Sequence, residues 1–203
     1  MSEVVNGTTA SSVVEADPCT MDRILKNALE HFSRFGYAGA SVREITQASQ
    51  VTKPTLYYYF KNKEELYSKL SQTCFESLLS NIQTALSIQG STKDRLFNLM
   101  REYARLSTEK MCELRFVHLM ISSAERNAPD VGIHRYVDSV GDYVRKAIQE
   151  GVAKNEVNAV DVESITFATL ALAHFHISGL LIGYQPKANM ETIKGSIALL
   201  LKQ

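Results

Sequence analysis

The chain has 203 residues, with 22 basic and 22 acidic side chains, so its formal charge is zero. That length holds one long domain or two small ones, each able to bury a core, and the neutral balance at first sight argues against nucleic acid. Three cysteines, odd in number and widely spaced at 19, 74 and 112, exclude a disulfide framework and a cysteine metal motif, and point to a reducing compartment.

Residues 1–20 are rich in Ser, Thr, Val and acids and contain no Lys or Arg. They match neither a signal peptide nor a membrane anchor, and a disordered tail is expected there. The first helix is marked by Ile24, Leu25, Ala28, Leu29, Phe32 and Phe35, with Arg23, Lys26 and Glu30 off the apolar stripe. Gly36 suits a left-handed stop. Ser41 with Glu44 three residues on is a capping-box spacing, so a second helix should begin at Val42, bury Val42 and Ile45, and end near Ser49-Gln50. Thr52 caps a third helix, and Pro54 fits only in a first turn, where no intrahelical donor is lost. Leu56 and Phe60 anchor that helix to the core. Arg43, Lys53, Thr55, Tyr57 and Tyr58 are left pointing outward. Asn62 with Glu65 opens a long fourth helix carrying Leu66, Leu70, Leu78 and Ile82.

Two short helices joined by a tight turn form a helix-turn-helix over about residues 41–60, and hydroxyls and cations on the second suit a major groove and its phosphates. The charge distribution agrees. Between Met21 and Leu70 eight basic residues face five acidic ones, a local balance of +3.

The spacing Ala28, Phe32, Gly36, then Ser41-Val42-Arg43-Glu44-Ile45, then Val51-Thr52-Lys53-Pro54-Thr55-Leu56-Tyr57-Tyr58-Tyr59-Phe60-Lys61-Asn62-Lys63-Glu64-Glu65-Leu66, resembles the TetR (tetracycline-repressor) family of one-component regulators. The resemblance covers about Met21 to Leu70. Beyond that, only length and helical pattern agree. It implies an all-α chain: a DNA-binding head over 21–66, joined by a long helix to an effector-binding and dimerisation bundle over 67–203. It also implies a cytoplasmic homodimer that binds a palindromic double-stranded operator as a repressor and is released by an unknown small-molecule effector. Carried across by position, Arg43 and Lys53 read base edges. Ser41, Thr52, Thr55, Tyr57 and Lys63 hold phosphates, Pro54 meets a thymine methyl, and Tyr58 approaches the groove. Tyr59 packs at the helix boundary. One departure is Gln50, where the family usually places glycine. A positive φ there costs a non-glycine residue roughly 1 kcal/mol, so the turn should persist with some strain.

The back half reads as helices with short connections. Ser91 or Thr92 starts one with Leu96, Met100, Tyr103 and Ala104. A second apolar segment, 114–121, ends at the Asn127-Ala128-Pro129 break. A third shows Val137, Val140, Val144 and Ile148 and stops at Gly151. Asp161 caps a helix to about Gly183, and Asn189 caps a last one with Ile193, Ile197 and Leu200.

From Ser164 to Pro186 there is no Asp, Glu, Lys or Arg, and the run is long enough to cross a bilayer. Its histidines, threonines and serine, and flanks without a basic cluster or aromatic belt, argue against a membrane span. A helix apolar all round must then be buried all round. The family's penultimate helix lies between the protomer's cavity and the partner subunit. On that basis Ala168, Leu172, Gly179 and Gly183, with Ile193, Ile197 and Leu200 of the last helix, are expected in the dimer seam. Phe167, His174 and Ser178 should line an effector cavity, facing Tyr103, Arg115, Phe116, His118 and Met120. An ordinary monomeric core fits the same periodicity.

His174 and His176, two apart on a helix, point to different sides and cannot share one ion, so no metal and no cofactor are expected. There is no phosphate-binding glycine loop, serine elbow or Cys-His spacing, which argues against an enzyme. The alternative to effector control is a DNA-binding helical module governed by a protein partner, which a filled core would favour.

Overall fold

The computed structural model describes residues 18–122, 127–157, 161–184 and 190–201. Among them the chain forms nine α-helices and no strand: α1 Pro18–Gly39, α2 Val42–Ala48, α3 Lys53–Tyr59, α4 Lys63–Leu86, α5 Thr92–Glu109, α6 Met111–Ser122, α7 Ile133–Ala153, α8 Val162–Leu181 and α9 Met190–Leu200. The all-helical architecture expected from the sequence is present.

The local signals that set the head are seen as bonds. Ser41 Oγ accepts the Glu44 N–H at 3.1 Å, Thr52 Oγ1 accepts that of Thr55 at 3.2 Å, and Asn62 Oδ1 accepts that of Glu65 at 2.8 Å. Each such cap stabilises its helix by about 1 kcal/mol. Ile24, Ala28, Phe32, Ile45 and Leu56 are fully buried where α1, α2 and α3 meet, and Phe60 closes the set. α1 bends at Gly36 (φ 67°, ψ −177°), a conformation that a side chain would strain.

Two boundaries differ from the sequence reading. α1 already starts at Pro18, inside the stretch expected to be a tail, and residues 1–17 lie outside the described residues. α7 runs through Gly151 to Ala153, and the left-handed residue beyond its end is Asn155 (φ 58°). Gly151 is there for proximity: a Cβ on it would stand 2.0 Å from Thr92 Oγ1, where the start of α5 crosses the end of α7. Glu156 Oε2 ties the same corner by accepting from Thr92 N at 2.6 Å and Thr92 Oγ1 at 2.9 Å. The cap expected at Asn189 falls outside the described residues.

In the body, α4 packs on α5 and α7, α8 on α5 and α7, and α9 on α5 and α8, while α6 lies against α1. The hydrophobic core is continuous from the head into the body. Its junction is aromatic. The Tyr67 ring meets Phe32 edge-on at 5.0 Å and Phe116 at 5.2 Å, and Tyr37 meets Tyr67 at 5.0 Å. Full burial of each such ring contributes about 1.5–3 kcal/mol, so head and body are joined by a dry, rigid contact as well as by the continuous α4.

α8 is long and apolar enough to cross a membrane by length and composition alone. It buries one face, Thr166, Thr169, Ala173 and Gly179, on its neighbours. Its other face carries exposed Phe167, Phe175 and Ile182, at 75%, 59% and 77% exposure. The residues expected in a subunit seam are divided within the protomer: Gly179 is buried, Leu172 packs against the core, Ala168 is half-buried and Gly183 is exposed. Ile193 and Ile197 of α9 are likewise inside the protomer, at 3% and 0% exposure, while Leu199 stands out at 70%.

Candidate DNA-binding face and internal cavity

α2 and α3 present one outward face. Arg43, Thr52, Lys53 and Pro54 are exposed, Ser41 and Thr55 are half-exposed at the helix starts, and Tyr57 and Tyr58 are exposed at 46% and 56%. The cap geometry explains the layout. Thr52 Oγ1 lies 2.8 Å from Thr55 Oγ1, so the first turn of α3 has two hydroxyls side by side, next to the Lys53 ammonium stem and the Pro54 ring. Tyr59 is half-buried and meets Tyr58 edge-on at 5.2 Å, which leaves only Tyr57 and Tyr58 of the tyrosine run facing out.

The turn before α3 takes the strained form anticipated. Gln50 has φ 52°, and Val51 N donates to Thr46 O at 3.0 Å across it. Two supports were not read from the sequence. Arg23 Nε donates to Ser49 O at 2.8 Å, so α1 pins the turn from behind. Lys63 Nζ sits 4.4 Å from the centre of the Tyr37 ring, so this expected phosphate contact is held by a cation–π pairing at the start of α4. The surplus of cations over the head was the readable sign of the face. The Tyr37 partnership had none, because it joins positions that only folding brings together.

Within the body is a cavity of about 170 Å³. α6 supplies Leu114, Val117 and Ile121, α7 supplies Val137 and Val140, and α8 supplies Leu170, Ala173 and Ile177. Its polar lining is Tyr103, Tyr136, His118 and His174. His118 and His174 stack with ring centres 4.9 Å apart. His118 Nε2 lies 3.2 Å from Ser122 Oγ and 3.3 Å from Ser178 Oγ. Burial, with His174 beside it, holds the His118 imidazole below its ordinary value, which favours the neutral ring. Burial raises both tyrosines, and Tyr103 adds to the effect on Tyr136. His176 points elsewhere, bonding to the Met100 backbone, and burial also lowers its pKa.

Of the eight residues expected to line this cavity, Tyr103, His118 and His174 do, and Ser178 stands at its edge through His118. Four do not. Phe116 is buried at the junction with Phe32 and Tyr67. The Met120 sulfur lies 3.8 Å from Ser71 Oγ, facing α4. Arg115 is half-buried away from the lining, and Phe167 is on the exposed face of α8. The reason is shared: α6 and α8 each have two working sides, and an apolar run does not say which side meets the cavity. Tyr136, Val137 and Val140 of α7 were missed as lining, although their helical spacing was legible.

Residues 24–70 match the family described as bacterial regulatory proteins, tetR family. Over 73 residues the chain is 38% identical to the biofilm operon icaADBC HTH-type negative transcriptional regulator IcaR of Staphylococcus epidermidis, a match spanning 34% of this chain and 40% of that protein. Over 181 residues it is 24% identical to the HTH-type transcriptional regulator YhgD of Bacillus subtilis, covering 87% of this chain and 91% of YhgD. In fold it is similar to the transcriptional regulator FadR of Bacillus subtilis, solved in complex with stearoyl-CoA, with TM-score 0.68, 16% identity, and coverage of 89% and 97%. The head and the order of the described helices are those of a helix-turn-helix fold of this kind, and over residues 24–70 the chain resembles the TetR family.

Proposed function

We propose that the chain is a cytoplasmic, homodimeric repressor that binds a palindromic operator and releases it when a small molecule enters the body cavity. The observation that carries this reading is the double role of α6. One side of it supplies Leu114, Val117, His118 and Ile121 to the cavity, and the other lays Phe116 against Phe32 of α1. A ligand that fits the cavity better in one position of α6 therefore biases the position of the head. The long α4, which starts at Lys63 in the head and runs to Leu86 in the body, shares that motion. The likeness to a regulator solved with stearoyl-CoA supports a cavity used for ligand, and an open cavity counts against control by a protein partner alone.

Two recognition helices about one DNA turn apart need two copies. The exposed stripe Phe167, Ala171, Phe175 and Ile182 on α8, continued by Leu199 on α9, is the surface offered to the second copy. Gly183 and Leu200, from the seam expected at first, remain at its edge. Such a stripe left in water is an association surface rather than a monomer's skin.

The test is selection of duplexes from a random pool with the full chain, followed by native mass spectrometry of protein and complex. Two copies on a palindromic site, with a small molecule retained by the free protein, is the expected result. A monomer on an asymmetric site would overturn the two-headed mechanism.

A further inference from the structure

The cavity walls say more about the ligand than that one fits. Among the described residues, no Asp, Glu, Lys or Arg lines it. An ionised carboxylate entering it would lose its water with no cation in return, and an ammonium would find no carboxylate; either penalty is severe in an apolar site. Burial lowers the pKa of the His118 imidazole, which disfavours the charged ring that would meet an anion. The walls do contain an unmet demand of a different kind. Tyr103 and Tyr136 are 5% and 8% exposed, both line the cavity, and neither hydroxyl has a hydrogen-bond partner among the described residues. Their neighbours on that side are closed to them: the Tyr136 ring stacks on Phe75 at 4.9 Å, and the nearby Cys74 thiol is pushed up to about 12 by burial, so it stays protonated and acts as packing. Buried phenols are ordinarily paired, and the cavity that both tyrosines line offers a partner a place.

We propose that the cavity binds an uncharged, mainly aliphatic molecule through an oxygen acceptor, a carbonyl or ester, that takes hydrogen bonds from the Tyr103 and Tyr136 hydroxyls. This rests on the effector reading above and narrows it. The aliphatic walls from α6, α7 and α8 hold the hydrocarbon. At about 170 Å³ the space is below the roughly 300 Å³ at which drug-sized pockets begin, so the buried part is a short or medium chain. A larger polar group, if the ligand has one, stays outside the walls described.

The experiment is isothermal titration calorimetry of the full-length protein with three probes of one chain length: methyl octanoate, octanoate and octyltrimethylammonium. Methyl octanoate should bind at least about tenfold more tightly than either ion. Tyr103→Phe and Tyr136→Phe should each weaken it about three- to tenfold. Thermal melts of the same variants are an independent readout. A hydroxyl without a partner in the protein can be removed without lowering Tm, whereas a paired one cannot. Tighter binding of either ion, unchanged affinity in both Phe variants, or a clear drop in Tm would overturn the proposal and leave the effector reading standing. If no probe binds, the proposal is lost. In that case native mass spectrometry decides the wider reading, which survives if the purified protein retains some other small molecule and falls if it retains none.

Discussion

Phe116 of α6 and Phe32 of α1 lie ring to ring, 6.2 Å between centres and 29° between planes, both with almost no exposure. This pair is where the cavity wall touches the head. Phe116→Ala should lower unfolding stability by about 3–5 kcal/mol, read by urea denaturation, because it opens a void in a packed aromatic group. The more telling variant is Phe116→Leu, which keeps an apolar filling. It should hold operator affinity near wild type yet raise the ligand concentration needed for half-release. Unchanged release would mean that the head is moved through α4 alone.

Gln50 sits at φ 52°, in the region where a side chain is disfavoured. Gln50→Gly should relieve about 1 kcal/mol of strain, less the extra freedom that glycine has in the unfolded chain. A small rise in Tm, with operator affinity kept, is the expected outcome. A fall in stability would show that the Gln50 side chain makes a contact worth more than the strain.

The head was legible because its signals are local. Ser41, Thr52 and Asn62 act on amides three residues away, and Leu56 and Phe60 reach the core from one turn of helix. The body was legible only as helices. The faces of α8 were not legible for a definite reason: Phe167, Phe175 and Ile182 on one side and Thr169, Ala173 and Gly179 on the other are all uncharged, so periodicity cannot rank them. Small residues suggest a subunit seam, but they serve equally where helices of one protomer approach closely. Gly151 misleads in the same way, looking like a stop signal when it is a point of contact with Thr92.

Lys53 and Lys63 should separate base reading from phosphate holding. Lys53 stands exposed in the first turn of α3, and Lys63 is held over Tyr37 at the start of α4. Lys53→Ala should weaken the operator more than random duplex and so narrow the specificity ratio. Lys63→Ala should weaken both alike and reduce the slope of log affinity against log salt by about 0.9 for each phosphate no longer neutralised. Binding measured on both duplexes over a salt series distinguishes the two. Equal loss of specificity in both variants would refute this division of roles.

Acid should weaken the fold before the carboxylates titrate. Burial holds His118 and His176 below the ordinary 6.5, so below that pH the unfolded chain takes up protons that the native chain refuses. Stability therefore falls as pH drops from 6.5 toward the lower native values, then levels off. Glu150 and Glu156 are shifted down from 4.5 by Arg95 and by Thr92, so their loss comes in a separate window at lower pH. Urea denaturation at a series of pH values should show a smaller slope in the upper window for His118→Gln than for wild type. The same slope in both would place the acid sensitivity elsewhere.

Phe175 tests the assembly. It is 59% exposed in the protomer and follows Phe167 and Ala171 along one side of α8, so most of its surface lies outside the packing of the subunit. Phe175→Asp should leave the helical content and the monomer fold intact, because a charge there is solvated when the subunit is alone. Placed in a symmetric seam, the same charge would face an apolar partner surface or its own copy, and each buried, unpaired carboxylate costs several kcal/mol. Light scattering across a concentration series should then find monomer where wild type is dimer, with operator affinity falling because two heads are no longer held together. A variant that stays dimeric would move the seam off this face of α8, and the exposed stripe would need another partner.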